Sequence, residues 1–460
     1  MKSRDLPVKK GQDFKINIED LNHRGEGVGR INDYVVFIPG GVPGDEISVK
    51  ITSTRKNFGR GVIQEVLKES STRVKAPCPY YPECGGCQLQ HVNYHEQLNH
   101  KTRLVKETLG RLGNISPDIV KNILGMDNPW HYRNKAQFQV FPQGKRTALG
   151  FFASGSHKPV DIDSCLLQQK EINKALQAVK RVIYNLEIPP YNRKTSKGIL
   201  RQVIIKTSSF TGEIMIVLVT KGKKLPSRKK IESGLRKNIP KLVSLVQNIN
   251  NHRVKETMGP EDILLYGKPY IEERIGNLDF IISPQAFFQV NPLQTHVLSG
   301  LVLKMARLRG TEKVMDLYCG TGSLGLFASS QAARVYGIES NPSALEDARA
   351  NTRLNNINNV KLYQGQVEDI MPHLTRRGVK PDVVILDPPR QGCDRHLIEH
   401  ILRTDPPKVI YISCNPSTLA RDLAILTESG YQGVNVQPLD MFPQTSHVEC
   451  VAYVRKKTCS

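Results

Sequence analysis

The C-terminal part of the chain carries the pattern that most constrains its fold. After Asn291, short and continuous apolar runs alternate with stretches of helical periodicity. A strand that is apolar along its whole length must be covered on both faces, and the intervening helices supply that cover. The alternation therefore predicts a parallel, doubly wound α/β sheet. The predicted strands are Val314–Tyr318, Val335–Glu339, Val360–Tyr363, Val383–Leu386 and Val409–Ser413.

The first predicted strand runs into a glycine loop and then a helix, in the sequence VMDLYCGTGSLGL at 314–326. Gly320 and Gly322 allow the backbone to approach a ligand, and free N–H groups at the helix start can bind it. The glycine spacing also fits, loosely, the loops that bind nicotinamide dinucleotides. Asp316 inside the strand and Cys319 before the first glycine separate the two interpretations.

Those two residues, together with Glu339 at the end of the next strand, resemble the class I S-adenosylmethionine methyltransferases. In such sites the carboxylate on the second strand accepts hydrogen bonds from the ribose hydroxyls. Glu339 is therefore the candidate ribose ligand. Its alternative is an ordinary acidic charge before the helix that Asn341 opens.

Two further strands end in polar motifs, LDPPR at 386–390 and YISCNP at 411–416. Both motifs belong at the carboxyl edge of the sheet, where open α/β folds bind their ligands. Cys414 ends a buried strand beside a helix start, a setting that favours a thiolate nucleophile. The alternative for such a cysteine is a small, buried core residue.

The overall charge indicates a polyanionic partner. The chain of 460 residues has 65 Lys and Arg against 43 Asp and Glu, a formal net charge of +22. RNA, DNA or an anionic membrane would each satisfy that excess. No stretch approaches the roughly 20 apolar residues of a membrane span, and residues 1–10 lack the apolar core of a secretory signal. We therefore expect a soluble cytoplasmic protein whose cysteines are thiols, metal ligands or catalysts.

The N-terminal segment predicts a small β-barrel. Between Phe14 and Val66, short runs alternate apolar and polar residues, and glycines and prolines punctuate them. Basic side chains nearby favour contacts with an RNA backbone, although a purely structural barrel is the alternative. A helix at 95–112 and a mostly antiparallel α+β region at 135–271 follow. The predicted domains are 1–72, 73–275 and 276–460.

Four cysteines of the central region form a candidate metal site. Cys78, Cys84 and Cys87 follow the spacing C-x5-C-x2-C in a loop rich in proline and glycine, and Cys165 lies further along. Three close thiols and a distant fourth can hold a tetrahedral zinc or an iron–sulfur cube. Zinc sites usually pair two C-x2-C motifs, so this spacing modestly favours iron–sulfur.

Four segments together resemble one known family over nearly the whole chain. They are the Cys78/Cys84/Cys87 loop, SPQAFFQVN at 283–291, DLYCGTG at 316–322, and SCNP at 413–416 with HVE at 447–449. The chain resembles the RNA uracil-5-methyltransferases, within them the ribosomal-RNA group with an N-terminal TRAM barrel and an iron–sulfur cluster. This sequence has DPPR where that family often has DPAR, which leaves the acid and the arginine in register.

The resemblance implies a covalent mechanism. A cysteine thiolate adds to C6 of uracil, C5 then takes the methyl group of S-adenosylmethionine, and a base removes the C5 proton. It implies Cys414 as nucleophile and Glu449 as base, and Phe287 is a candidate to stack on the extruded uracil. The implied S-adenosylmethionine ligands are Gln289, Tyr318, Glu339 and Asp387, the last with a contact to the substrate edge as its alternative. The implied ligands of a [4Fe–4S] cluster are Cys78, Cys84, Cys87 and Cys165.

The resemblance implies 23S ribosomal RNA as substrate, with transfer RNA second, and we expect a monomer. Two rival functions stay open. An amino-methyltransferase is suggested by DPPR, but that motif needs an aromatic residue where this chain has Arg390, and it leaves Cys414 without a role. A non-catalytic RNA-binding factor would be expected to have lost one of the matched site positions, and none is lost.

Overall fold

The computed structural model describes residues 6–144, 146–192, 195–251 and 257–457. Three large sheets follow one another along the chain, and a two-stranded hairpin lies between the second and the third. Within these ranges, no helix combines the length and the apolar character needed to cross a bilayer.

The N-terminal sheet has six strands in the order β1-β5-β6-β4-β3-β2 and is antiparallel except for β4–β6. Gly29 of β3 packs so tightly against β1 that a Cβ there would lie 2.3 Å from Ile16 Cγ2. The sheet therefore curves far enough to bring together two strands that are not neighbours in its order. The strands are β1 Asp13–Asn17, β2 Asp20–Leu21, β3 Gly27–Ile31, β4 Tyr34–Ile38, β5 Glu46–Thr54 and β6 Phe58–Lys68.

The central sheet has seven strands in the order β13-β12-β11-β10-β7-β8-β9, antiparallel except for β11–β12. Its strands are β7 Lys135–Gln143, β8 Arg146–Phe152, β9 Pro159–Asp161, β10 Leu200–Thr207, β11 Ile214–Thr220, β12 Leu242–Ile249 and β13 Glu261–Gly267. Helices α2 (Lys170–Asn185) and α3 (Arg228–Asn238) cover one face, and the hairpin β14 (Ile271–Ile275) to β15 (Leu278–Ile282) covers the other. Every residue of β10 and β11 is buried, because both faces are covered.

The C-terminal sheet has the order β18-β17-β16-β19-β20-β22-β21. Its strands are β16 Lys313–Leu317, β17 Arg334–Glu339, β18 Val360–Gln364, β19 Val383–Leu386, β20 Lys408–Ser413, β21 Tyr431–Leu439 and β22 Glu449–Lys456. Its helices are α4 Pro292–Ala306, α5 Ser323–Ser329, α6 Pro342–Leu354, α7 Val367–Arg376, α8 Arg395–Thr404 and α9 Pro416–Glu428. The five predicted parallel strands are confirmed; the sequence pattern did not indicate the antiparallel pair β21–β22.

Helix α1 (Tyr94–Gly113) joins the core of the C-terminal sheet, although it lies early in the chain. Val105 and Leu109 belong to the same buried cluster as Leu419 and Leu423 of α9. A Cβ on Gly113 would lie 2.6 Å from the carbonyl oxygen of α9 that it faces, so glycine permits the close helix contact. The two segments therefore share one core, and the three domain boundaries stay a prediction.

Candidate active site

The strand register brings Cys414 and Glu449 together. Ser413, the last residue of β20, pairs with Cys450 of β22 in an antiparallel ladder. Because the strands are antiparallel, the residue after Ser413 lies opposite the residue before Cys450. Cys414 is therefore level with Glu449. Cys414 is half-buried, whereas Glu449 is only 3% exposed. A thiol and a buried carboxyl group thus meet at the carboxyl edge of the sheet.

The register of the central strands assembles the second half of the site. Leu317 of β16 pairs with a residue on each flanking strand, Ile338 of β17 and Leu386 of β19. Tyr318, Glu339 and Asp387 follow those positions directly. One cavity of about 1220 Å³ opens at this edge. All six predicted catalytic and cofactor residues line it: Gln289, Tyr318, Glu339, Asp387, Cys414 and Glu449.

Hydrogen bonds from the backbone fix the carboxylate of Glu339 beside the glycine loop. Its Oε2 accepts from the N–H of Gly320 at 2.9 Å, and its Oε1 accepts from the N–H of Asn341 at 2.7 Å. Gly320 has φ 56°, and a Cβ there would meet nothing within 4 Å. The backbone of the loop is therefore open to a ligand beside an acid that can accept from ribose hydroxyls.

Asp316 lies beneath the same loop, fully buried in β16. Its Oδ2 accepts from the N–H of Gly325 at 2.8 Å, while its Oδ1 has no hydrogen-bond partner among the described residues. Burial raises the pKa of Asp316 to about 8, and the hydrogen bond from Gly325 only partly opposes that shift. The carboxyl group is therefore mostly protonated at neutral pH and ties the glycine loop to the sheet.

The reacting end of the cavity brings several acidic groups close to the guanidinium of Arg390. Burial raises the pKa of the Cys414 thiol, the nearby Glu449 adds to the shift, and Arg390 opposes it. Burial raises the pKa of Glu449 far above its usual range, and Asp387 adds to that shift. Burial also raises the pKa of Asp387. Arg390 therefore favours the ionised forms of both the thiol and the Glu449 carboxyl group.

Helix α1 holds the segment that precedes Glu449. The buried ammonium group of Lys101 donates to Asp440 Oδ1 at 2.6 Å and to the Phe442 carbonyl at 3.2 Å. Tyr94 donates to Asp440 Oδ2 at 2.9 Å. A buried ion pair with further hydrogen bonds fixes one geometry, because breaking it would leave a buried charge without a partner. The start of β22, and with it Glu449, is thereby held in place.

A second set of polar contacts holds the loop that carries Arg390. The Tyr411 hydroxyl donates to Asp422 Oδ2 at 2.6 Å, and the same oxygen accepts from the N–H of Cys393 at 3.0 Å. The amide of Asn415 donates to the Arg390 carbonyl at 3.0 Å. The sequence pattern did not indicate this network; an aspartate on the apolar face of α9 was the only available signal.

Phe287 lies at the cavity mouth and is not part of the core. Its side chain is 61% exposed, whereas the neighbouring Phe288 is 7% exposed and packs against Phe280. The buried Lys206 holds this segment, donating to the carbonyls of Ser283 at 2.8 Å and residue 286 at 3.1 Å. From the sequence alone, Phe287 could equally be a core residue or a residue that stacks on the substrate base. Its exposure excludes the core position.

The four cysteines of the central region surround a separate cavity of about 540 Å³. Burial raises the pKa of Cys84 to about 11 and of Cys87 to about 12, and each is raised further by the nearby Cys165. Cys78 lines the same cavity. In the part of the chain that the structure describes, no three His, Cys, Asp or Glu side chains converge tightly enough to hold a metal ion.

Comparison with known proteins identifies the family. The family model for tRNA (uracil-5-)-methyltransferases matches residues 93–457, and the TRAM domain model matches residues 7–63. A Clostridium tetani protein named as an uncharacterized RNA methyltransferase is 43% identical over 448 residues, which cover 97% of each chain. A Halalkalibacterium halodurans protein of the same description is 42% identical over 457 residues, covering 99% of this chain and 100% of that protein.

A solved structure agrees with the sequence comparison. Pyrococcus abyssi tRNA (uracil-54, C5)-methyltransferase, in complex with S-adenosyl-L-homocysteine, is 30% identical to this chain. It superposes with a TM-score of 0.76, covering 96% of this chain and 99% of that one. The family match spans most of the chain, and the site lies where a class I cofactor fold binds its ligand. The chain therefore belongs to the S-adenosylmethionine-dependent RNA uracil-5-methyltransferases.

Proposed function

We propose that this enzyme methylates C5 of a uridine in RNA through a covalent bond between Cys414 and C6 of the base. The observation that carries the proposal is the register that places Cys414 level with the buried Glu449 inside one cavity with the glycine loop. C5 of uracil is too weak a nucleophile to attack a sulfonium methyl group unaided. Addition of a thiolate to C6 moves electron density onto C5 and removes that difficulty.

The reaction proceeds by addition of the thiol, methyl transfer and elimination. The Cys414 thiol loses its proton to solvent, and the thiolate forms a bond to C6 as the C5–C6 double bond opens. S-adenosylmethionine supplies the methyl group to C5 and leaves as the neutral thioether. Glu449, as carboxylate, removes the C5 proton; the double bond re-forms and the C6–S bond breaks, which frees the thiolate. Arg390 favours the carboxylate that this step needs, and the raised pKa of Glu449 makes that carboxylate a stronger base. The proton then passes from Glu449 to solvent, which restores the carboxylate.

We assign the residues at the cofactor end of the cavity from the same arrangement of strand ends. Glu339 would accept from the ribose hydroxyls, and Gln289 and Tyr318 would complete the binding of S-adenosylmethionine. Asp387 lies between this end and Cys414, so it would contact either the cofactor or the base edge. Phe287, exposed at the mouth, would stack on the uracil once it is extruded from the RNA.

A groove supports RNA as the substrate. A cavity of about 810 Å³ contains Arg24 and Arg60 of the N-terminal sheet region and, on its other side, Arg390 and Cys414. The groove therefore connects the TRAM-matching segment directly with the nucleophile. Arginine side chains along such a path suit the phosphates of a nucleic acid backbone.

We propose 23S ribosomal RNA as the substrate, with transfer RNA as the alternative. The sequence resemblance to the ribosomal-RNA group favours the first, and the Pyrococcus abyssi relative, which is named for uracil 54 of tRNA, favours the second. The enzyme should be incubated with unmodified transcripts of both RNAs and S-adenosylmethionine. Nucleoside mass spectrometry should then find 5-methyluridine in the ribosomal transcript. Formation in transfer RNA alone would reassign the substrate, and methylated adenosine or guanosine would contradict the proposal.

We further propose that Cys78, Cys84, Cys87 and Cys165 hold a [4Fe–4S] cluster. The support is that all four thiols line one cavity of about 540 Å³, together with the resemblance of their spacing to the cluster-bearing ribosomal-RNA group. Anaerobically purified protein should contain about four irons and four acid-labile sulfides per chain. Cys165→Ala should lose iron, whereas Cys319→Ala, a buried cysteine outside this cavity, should retain it. Stoichiometric zinc without iron would contradict the proposal.

A further inference from the structure

A separate cavity of about 650 Å³ lies on the central sheet, outside the sites described above. Phe210 lines it and is 55% exposed, which is unusual for a phenylalanine in a folded domain. Three exposed lysines line it as well: Lys170, Lys174 and Lys241. The cavity thus combines an exposed aromatic ring with an excess of positive charge, since Glu171 is the one acidic residue among the described residues that line it.

The exposure of Phe210 is built into the fold. Glu273, 1% exposed, accepts from the N–H of Ser209 at 2.7 Å and from the N–H of Phe210 at 3.0 Å. It also accepts from the Ser208 hydroxyl at 3.3 Å. A buried carboxyl group that accepts from three donors of this turn fixes the backbone of the turn. The ring is therefore held in an exposed position by a buried polar network.

One face of the Phe210 ring is already covered. The Arg274 guanidinium lies over the ring, 4.2 Å from its centroid, and donates to both oxygens of Asp279 at 2.6 and 3.0 Å. The cation polarises the ring and leaves the opposite face for a second flat partner. A nucleobase has the shape and the π-face for that position.

The lysines are placed to hold the phosphates beside such a base. Lys170 and Lys174 are four residues apart on α2 and so lie on one face of the helix. Lys241 donates to the Thr211 carbonyl at 2.9 Å and stays at the opposite side of the turn. An aromatic platform flanked by cations is the arrangement that binds single-stranded nucleic acid.

One residue that lines the cavity is a neighbour in sequence of a residue that lines the cysteine cavity. Gln169 lines the Phe210 cavity, and its neighbour Gln168 lines the cavity of the four cysteines. Phe287 lines both the cysteine cavity and the catalytic pocket. The Phe210 cavity therefore lies one residue along the chain from the cysteine cavity, which in turn shares Phe287 with the catalytic pocket.

We propose that Phe210 stacks on an unpaired base of the substrate RNA while Lys170, Lys174 and Lys241 hold the flanking phosphates. This inference rests on the proposed RNA substrate and adds an anchoring point beyond the TRAM segment and the catalytic pocket. Such an anchor raises affinity for RNA without taking part in methyl transfer.

The test compares Phe210→Ala with Tyr184→Ala. Tyr184 is a matched control on the same central region, because it is 47% exposed and also has an arginine, Arg146, over its ring. Fluorescence anisotropy with a labelled RNA transcript should show roughly 5- to 150-fold weaker binding for Phe210→Ala. Binding by Tyr184→Ala should change less than twofold, and kcat at saturating RNA should be unchanged in both.

Two further variants separate stacking from folding and charge. Phe210→Trp keeps a platform and should bind RNA within about threefold of the wild type. A Lys170→Ala, Lys174→Ala double variant should reduce the slope of log affinity against log salt by about 1.4, about 0.7 for each phosphate that a lysine no longer neutralises.

Photocross-linking of the unchanged protein supplies a test that does not depend on a variant. With RNA containing 4-thiouridine, the tryptic peptide 207–221 should carry a nucleotide adduct. Equal binding by Phe210→Ala and wild type, without an adduct on that peptide, would overturn the inference and assign the cavity to another partner. Failure of the proposed function is a separate result, because the wild type would then form no 5-methyluridine in either RNA.

Discussion

Replacing Asp316 by Asn should change how stability depends on pH. Burial raises the pKa of this group from 3.8 to about 8 in the folded protein. Between these two values, the unfolded chain has released the proton and the folded chain retains it. The wild-type free energy of unfolding should therefore fall as pH rises from about 4 to about 8, by roughly 1.4 kcal/mol per pH unit for this group. Over the whole interval the loss is about 6 kcal/mol.

Urea unfolding at several pH values between 5 and 8, without S-adenosylmethionine, measures this slope. Asp316→Asn cannot ionise, so its stability relative to the wild type should rise with pH, by up to about 1.4 kcal/mol per unit. Asp369→Asn, at an exposed position in α7, serves as the control for exchanging an aspartate for its amide at the protein surface. A flat difference for Asp316→Asn would refute the assignment of a buried, protonated carboxyl group under the glycine loop.

Three other substitutions test the catalytic pocket. Glu449→Gln should reduce turnover at least 100-fold and accumulate RNA bound covalently to the protein, because the C5 proton stays in place; gel electrophoresis under denaturing conditions detects the complex. The pKa of the Cys414 thiol is raised, so kcat/KM of the wild type should increase with pH between 7 and 9. Because Arg390 lowers that pKa, Arg390→Gln should reduce kcat/KM and move the increase to higher pH. Lys206→Met leaves two carbonyls without their donor, so urea unfolding should show a loss of about 1–3 kcal/mol in stability. Calorimetry should also show weaker binding of S-adenosylmethionine by this variant.

Features that depend on local pattern were predictable from the sequence. The apolar runs before Asp387 and Cys414 predicted strands, and parallel strands with helices between them end at one edge of the sheet. Tyr318 and Glu339 followed from the same alternation. The sequence pattern alone therefore predicts that these residues lie close together. Their roles follow only from the family resemblance.

Features that depend on distant contacts were not predictable in this way. The burial of Glu449 was not predictable from local pattern, because it depends on the pairing of β22 with β20, which ends 36 residues earlier. The apolar run from Cys450 to Val454 was a signal for that strand, but not for its neighbour. The sequence around Lys206 did not indicate that this residue holds the Phe287 segment, since its carbonyl partners lie 77 and 80 residues away. The exposure of Phe210 likewise depends on Glu273, a residue on another sheet.

Mass spectrometry of the trapped enzyme tests the covalent mechanism most directly. The protein would be incubated with S-adenosylmethionine and ribosomal RNA in which 5-fluorouridine replaces uridine. Fluorine at C5 cannot leave as a proton, so elimination is blocked and the bond between sulfur and C6 persists. We predict an adduct, one methyl group heavier than the fluorinated nucleotide, on the peptide that contains Cys414. Methylation of ordinary RNA by Cys414→Ala, or an adduct on another cysteine, would contradict the mechanism.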